Sequence, residues 1–311
     1  MKSLKIRSLA RLLLAAAVLL TSMMSAHAVT IDMVTVGDPG NAADTTGYGA
    51  LSAAYRIGKY EVTIQQYTDF LNAAAKSDPY SLWNTNMESI SANAGISRTG
   101  TDGSYTYSVL GPAGMTPAGA SSPGNRPITY VSWFDAARFA NWMHNGQGSG
   151  STETGAYTLD GATSGNAPAK NPGADFYIPT DDQWYKAAYY KGSGTNAGYW
   201  DYATQSNTAP GNTIGSGTNQ ANYFFAEYAY SVTQSGSFSE IQNYLTVAGA
   251  FSNSASAYGT FDQSGNVWEW NDLAGVAGSP RGLGGGSWGN NAFYLSCLLY
   301  TSPSPRDATL S

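Results

Sequence analysis

The chain has 311 residues, enough for one large domain or two small ones, with 12% charged residues, 13% aromatics and 36 glycines. That composition excludes a charged disordered chain and a coiled coil, and it points to a turn-rich fold packed with aromatic rings. A net charge of −6 disfavours nucleic acid and anionic lipid as partners, and the single cysteine, Cys297, excludes an internal disulfide.

Residues 1–28 read as a secretory signal peptide. Lys2, Lys5, Arg7 and Arg11 form its basic start. Leu12 to Leu20 is an apolar stretch too short to span a bilayer comfortably, and Ala26-His27-Ala28 is a small-residue cleavage site. Its removal leaves 11 basic against 21 acidic residues, a net charge of −10, on a chain expected to be secreted, periplasmic or held at the cell surface, with no transmembrane span. The mature chain keeps one histidine, His144, so Ser-His-Asp catalysis and multi-histidine metal centres have little to build on.

Residues 29–50, rich in Gly, Asp and Thr, read as a lead-in loop. Tyr55 to Val62 reads as a strand. A helix follows, with Thr63 as cap and Gln66 as capping-box partner, and with Ile64, Tyr67, Phe70, Leu71 and Ala74 on one face. Residues 77–124 have little periodicity and read as a long excursion with short strands at best. Ser132 caps a second helix with Ala136, Phe139, Ala140 and Met143 as its apolar stripe, and Asn145-Gly146 stops it. A Gly/Ser/Thr-rich loop precedes short strands at Tyr157–Gly161 and Phe176–Ile178. Thr180 and Gln183 repeat the capping box at the start of a third helix carrying Trp184, Ala187 and Ala188. Beyond about residue 192 the pattern is loops and short strands. Loops of this length in a compact domain are functional or held by something, for instance ions.

Three groups of residues are candidates for chemistry. Asp262 and Glu269 bracket Gly265-Asn266-Val267, where carboxylates and inward-turned carbonyls could supply the oxygens that calcium prefers; a structural turn with a buried tryptophan and a solvated glutamate is the other reading. The tryptophans could stack on sugar faces, but Trp133, Trp142, Trp184, Trp268 and Trp288 lie in fold-defining segments and are expected in the core. Tyr199 and Trp200, in a Gly/Asn-rich loop, are better placed for a surface pocket. Asp135, Asp181 and Asp182 stand at helix starts, where the macrodipole explains them.

Five segments in order resemble the sulfatase-modifying-factor (formylglycine-generating enzyme) family. They are Gly58-Lys59-Tyr60-Glu61-Val62-Thr63 with Tyr67 and Phe70-Leu71-Asn72; Arg126-Pro127-Ile128 with Val131-Ser132-Trp133; Ile178-Pro179-Thr180 with Gln183-Trp184; Gly265-Asn266-Val267-Trp268-Glu269-Trp270; and Gly285-Gly286-Ser287-Trp288. The resemblance implies a single loop-rich α+β domain over residues 51–295, related to the C-type lectin fold. It also implies a structural calcium site formed by the side chains of Asp262 and Glu269 and the carbonyls of Gly265 and Val267. A second site is implied at Asn222 and the Tyr223 carbonyl, where an ordinary loop asparagine is the other reading.

The family's active enzymes use two cysteines, five residues apart, after the G-G-S-[YW] motif. Those positions fall on Asn290 and Leu295, which can neither form a thiolate nor bind copper, so no copper is expected and no catalytic residue is assigned. Cys297 lies off register and alone. The resemblance stops after Leu295, and residues 296–311 read as a non-native or truncated tail, like translated sequencing adapter. The expected function is an exported, calcium-stabilised binding or scaffold module at the bacterial envelope, with a protein or glycan ligand. The alternatives are a divergent formylglycine-generating-type enzyme acting on protein or small-molecule substrates, which needs a pocket near Ser287, Asn290 and Asn291, and a purely structural matrix protein.

Overall fold

Strand pairing begins earlier than the composition of residues 29–50 suggests. In the computed structural model, which describes residues 28–110, 122–225, 229–273 and 281–298, the strand β1 (Met33–Val36) pairs antiparallel with β2 (Tyr55–Gly58), Met33 facing Gly58 and Val36 facing Tyr55. The lead-in loop thus contains a strand, because the β-branched Val34 and Val36 alternate with Thr35 and Val36 is fully buried. The expected signal peptide, as far as His27, and the expected tail, from residue 299 on, lie outside the described residues.

The expected strand 55–62 is shorter than its pattern. After Gly58 the chain leaves the ribbon, and its backbone groups are shared out: Phe261 N donates to Lys59 O at 2.9 Å and Ile128 N donates to Val62 O at 2.9 Å. This detour brings Glu61 to the G-N-V-W-E-W segment. Helix α1 (Ile64–Ala74) then starts on the expected capping box, with Gln66 N donating to Thr63 Oγ1 at 3.2 Å and Thr63 N to Gln66 Oε1 at 2.8 Å. Its buried face, Ile64, Tyr67, Phe70 and Leu71, packs with α3 (Trp133–His144) through ring contacts of Phe70 with Phe139 at 5.5 Å and with Trp142 at 5.3 Å. Between them lie the single-turn α2 (Asn86–Ser89) and the hairpin of β3 (Ile96–Thr99) with β4 (Thr106–Val109), tied to α1 by Asn72.

Helix α4 (Asp181–Tyr189) is capped by Thr180 and Gln183 as expected. Two further ribbons follow, β5 (Phe224–Phe225) with β6 (Ala229–Tyr230) and β7 (Glu269–Asp272) with β8 (Arg281–Gly284), and a 3-10 turn covers Ala292–Leu295. Residues 157–161 and 176–178 are not strands. Side chains replace the ladder there: Tyr157 N donates to Asn141 Oδ1 at 2.7 Å and Ile178 N to the Tyr157 hydroxyl at 3.0 Å. The loop after α3 is held by Arg138, whose Nε and Nη2 pair with the two carboxylate oxygens of Glu153 at 2.8 and 3.2 Å. The result is a mixed α+β domain of helices and two-stranded ribbons. No helix among the described residues is long and apolar enough to cross a membrane.

Candidate functional site

A cavity of about 300 Å³ opens where β2, one face of α3, residues 175–184 and residues 261–270 meet. Tyr60, Phe176, Tyr177, Phe261, Trp268 and Trp270 give it aromatic walls, and Glu61 and Glu269 bring carboxylates into the lining. Trp268 is therefore half-buried against a cavity, not in the core as expected. Trp133, Trp142 and Trp184 are core residues; Trp288 is half-buried and stacks on Tyr244 at 4.8 Å and 11°.

The loop before β7 is wound tightly enough to aim its side chains at the carboxylates. Asp262 (φ 64), Gly265 (φ 100) and Asn266 (φ 60) all take left-handed backbone. Glycine is required at 265, because a Cβ there would sit 2.3 Å from the Asn222 carbonyl oxygen. Asn266, fully buried, is the hub. Its amide Nδ2 donates to Glu61 Oε1 at 2.9 Å, and its Oδ1 accepts from Asn222 Nδ2 at 2.9 Å and from Thr246 N at 3.2 Å.

Each carboxylate is held by one oxygen. Trp184 Nε1 donates to Glu269 Oε2 at 2.6 Å, and Gly249 N donates to Asp262 Oδ2 at 2.6 Å. The remaining oxygen of Glu61, Oε2, is buried and has no hydrogen-bond partner. No lysine or arginine among the described residues forms an ion pair with Glu61, Asp262 or Glu269. Burial therefore dominates their titration: it pushes Asp262 up to about 6 and Glu269 up to about 7, the latter helped by the Asp262 charge. Glu61 is raised well above the usual carboxylate range, first by burial and then by its two acidic neighbours.

The residues expected to bind calcium fall in this same neighbourhood. The Asp262 and Glu269 side chains lie close enough to interact, with Gly265 and Val267 buried between them, and Asn222 is joined to the loop through Asn266. The donor set is all oxygen, and no hydrogen bond reaches the Gly265 or Val267 carbonyls among the described residues, which suits a hard cation. The Tyr223 carbonyl, by contrast, already accepts the Ser231 hydroxyl at 3.2 Å. No group of three His, Cys, Asp or Glu side chains among the described residues is arranged to hold a metal by itself, so carbonyls would have to complete any sphere.

The G-G-S-W segment is different in kind. Ser287 N and Oγ both donate to Asn290 Oδ1, at 2.9 and 2.8 Å, and Asn291 Oδ1 accepts from Phe293 N at 3.1 Å, so these three residues close turns. None of them lines the aromatic cavity. Leu295 is fully buried beside Ala221 and Tyr223, against the α-carbon of Gly286. Cys297 is buried with Trp184, Tyr185 and Tyr189, and burial pushes its thiol up to about 11. Tyr199 and Trp200 also lie away from the cavity; the Tyr199 hydroxyl donates to Ala42 O at 2.9 Å and its ring sits 4.9 Å from Tyr190. The residue that the sequence reading missed is Glu61. Its signal was the one acid in the Tyr55–Val62 segment, set between Tyr60 and Val62.

An α+β domain of small ribbons, three box-capped helices and a tryptophan-flanked turn defines a class of loop-rich folds. A family model described as "Sulfatase-modifying factor enzyme 1-like domain" matches residues 33–308, and the chain belongs to that FGE-sulfatase family. Among solved structures the chain is similar to CarF, at 20% identity and a TM-score of 0.44, covering 90% of this chain and 95% of that one. It is also similar to Treponema denticola variable protein 1, at 17% identity and a TM-score of 0.41, covering 89% of this chain and 93% of that one. No curated protein sequence matches it.

Proposed function

We propose that the protein is an exported, calcium-stabilised binding module of the family that has given up thiol oxidation, working at the bacterial envelope on a protein or glycan ligand. The observation that carries this reading is the pair of positions where the active enzymes place cysteines. Asn290 spends its side chain closing a turn on Ser287, and Leu295 fills the core. The C-type lectin relation implied by the family supports a ligand-binding role for the aromatic cavity. Calcium would be held by the side chains of Asp262 and Glu269 and the carbonyls of Gly265 and Val267, with Asn222 and Tyr223 as the second set. Its chemistry there is charge compensation and ordering of the 262–269 loop.

Two measurements test the reading. Purified protein incubated with a cysteine-containing sulfatase peptide should form no aldehyde; turnover would sink the binding-module assignment. A melting curve in chelator should fall below the curve with calcium, since calcium at a hundredfold its dissociation constant adds about 2.7 kcal/mol. An unchanged melting temperature removes calcium from the proposal. One observation favours a divergent enzyme instead: Glu61 and Glu269 both line the cavity, and paired carboxylates in a pocket can serve proton transfer.

A further inference from the structure

We propose that the aromatic cavity receives a primary alkylammonium group, with Glu61 as its anionic partner. The inference rests on the binding-module reading and names the chemistry of what the module binds.

Three observations lead to it. First, the wall carboxylate Glu61 is half-satisfied: Asn266 fixes Oε1, while Oε2 is buried and meets no donor. A buried acceptor in that state is costly until a donor arrives, and a cationic donor also restores the charge that burial opposes. Glu61 is not among the oxygens assigned to calcium, so it stays available when the ion is present. Second, the walls carry several aromatic rings, whose π faces attract an ammonium head and whose carbon surface covers an alkyl body. The molecule shows this preference with its own side chains. Lys59 Nζ lies 5.1 Å from the Tyr60 ring centre and 5.5 Å from that of Phe261, and Lys170 Nζ lies 4.5 Å from that of Tyr177. All three rings line the cavity. Third, a volume of about 300 Å³ lies at the small end of ligand pockets and suits a short amine. An ammonium has N–H groups to give to Oε2; a quaternary amine has none, which is why the primary head is favoured.

The test is calorimetric titration of the full chain, loaded with calcium, with n-hexylammonium chloride, 1-hexanol and sodium hexanoate. Hexylammonium should bind at least about tenfold more tightly than hexanol, with hexanoate showing no heat. Glu61→Gln keeps an acceptor for Asn266 and should weaken hexylammonium by at least about tenfold while leaving hexanol unchanged. A melting curve checks that the variant is folded, and the comparison among the three probes on the unmodified protein needs no variant. A blocked peptide carrying one lysine, run beside its norleucine twin, separates the sources: lysine-selective heat assigns a protein side chain, and hexylammonium heat alone assigns a free amine. Equal binding of hexanol and hexylammonium overturns the proposal, as does the absence of binding by every amine probe. Either result leaves the binding-module reading standing as long as the sulfatase peptide stays unoxidised.

Discussion

The two motif-bearing turns near the end of the domain face opposite ways energetically. At Asp262–Glu269 the fold gathers carboxylates, leaves one Glu61 oxygen without a partner and opens a cavity beside them. At Gly285–Leu295, where the family does its oxidation, Ser287 and Asn290 satisfy each other and Leu295 seals the core. The contrast teaches that two turns close together in one chain can differ sharply, one with its polar groups satisfied by each other and one with polarity left unspent beside a cavity.

The sharpest way to break the comparison is at the first turn. Gly265→Ala would press a Cβ within 2.3 Å of a backbone oxygen at φ 100, where neither atom can swing aside. A loss of about 4 kcal/mol is expected in denaturant unfolding, together with loss of the cavity site. At the second turn, Leu295→Ala removes a fully buried side chain and should cost about 3 kcal/mol, with ligand binding by the folded protein unchanged. Loss of binding there would show that the two turns act as one site.

A smaller effect sharpens the contrast through pH. In metal-free protein, Glu269 rises from an ordinary 4.5 to about 7 on folding. The folded state then holds a proton that the unfolded chain has released between those values, so stability is greatest below about 4.5 and is lost as pH rises through 7. Melting temperatures should fall by a few degrees from pH 5 to pH 8 in chelator. Glu269→Gln or added calcium should flatten the curve. A profile that stays equally steep in Glu269→Gln would transfer the effect to other buried acids such as Asp135, which burial pushes up to about 6.

Much of the scaffold was legible because it is local. Thr63, Ser132 and Thr180 cap helices through bonds three residues long, and the periodic apolar faces of α1 and α3 follow from one turn to the next. What was illegible is what depends on distant partners. Tyr157 and Phe176–Ile178 look like strands, yet side chains from elsewhere satisfy their backbones. Tryptophan at 268 is as apolar as tryptophan at 133, and only the packing around them puts one on a cavity and the other in the core. Family resemblance located the 262–269 carboxylates but not Glu61, whose role is set by a bond to Asn266.

That bond spans 205 residues of sequence. Glu61 emerges early in synthesis, and the amide that anchors it is among the later residues to be made. Closing so large a loop carries an entropic cost that the local capping bonds do not. Refolding experiments should find the cavity forming in the slowest phase, after the capped helices.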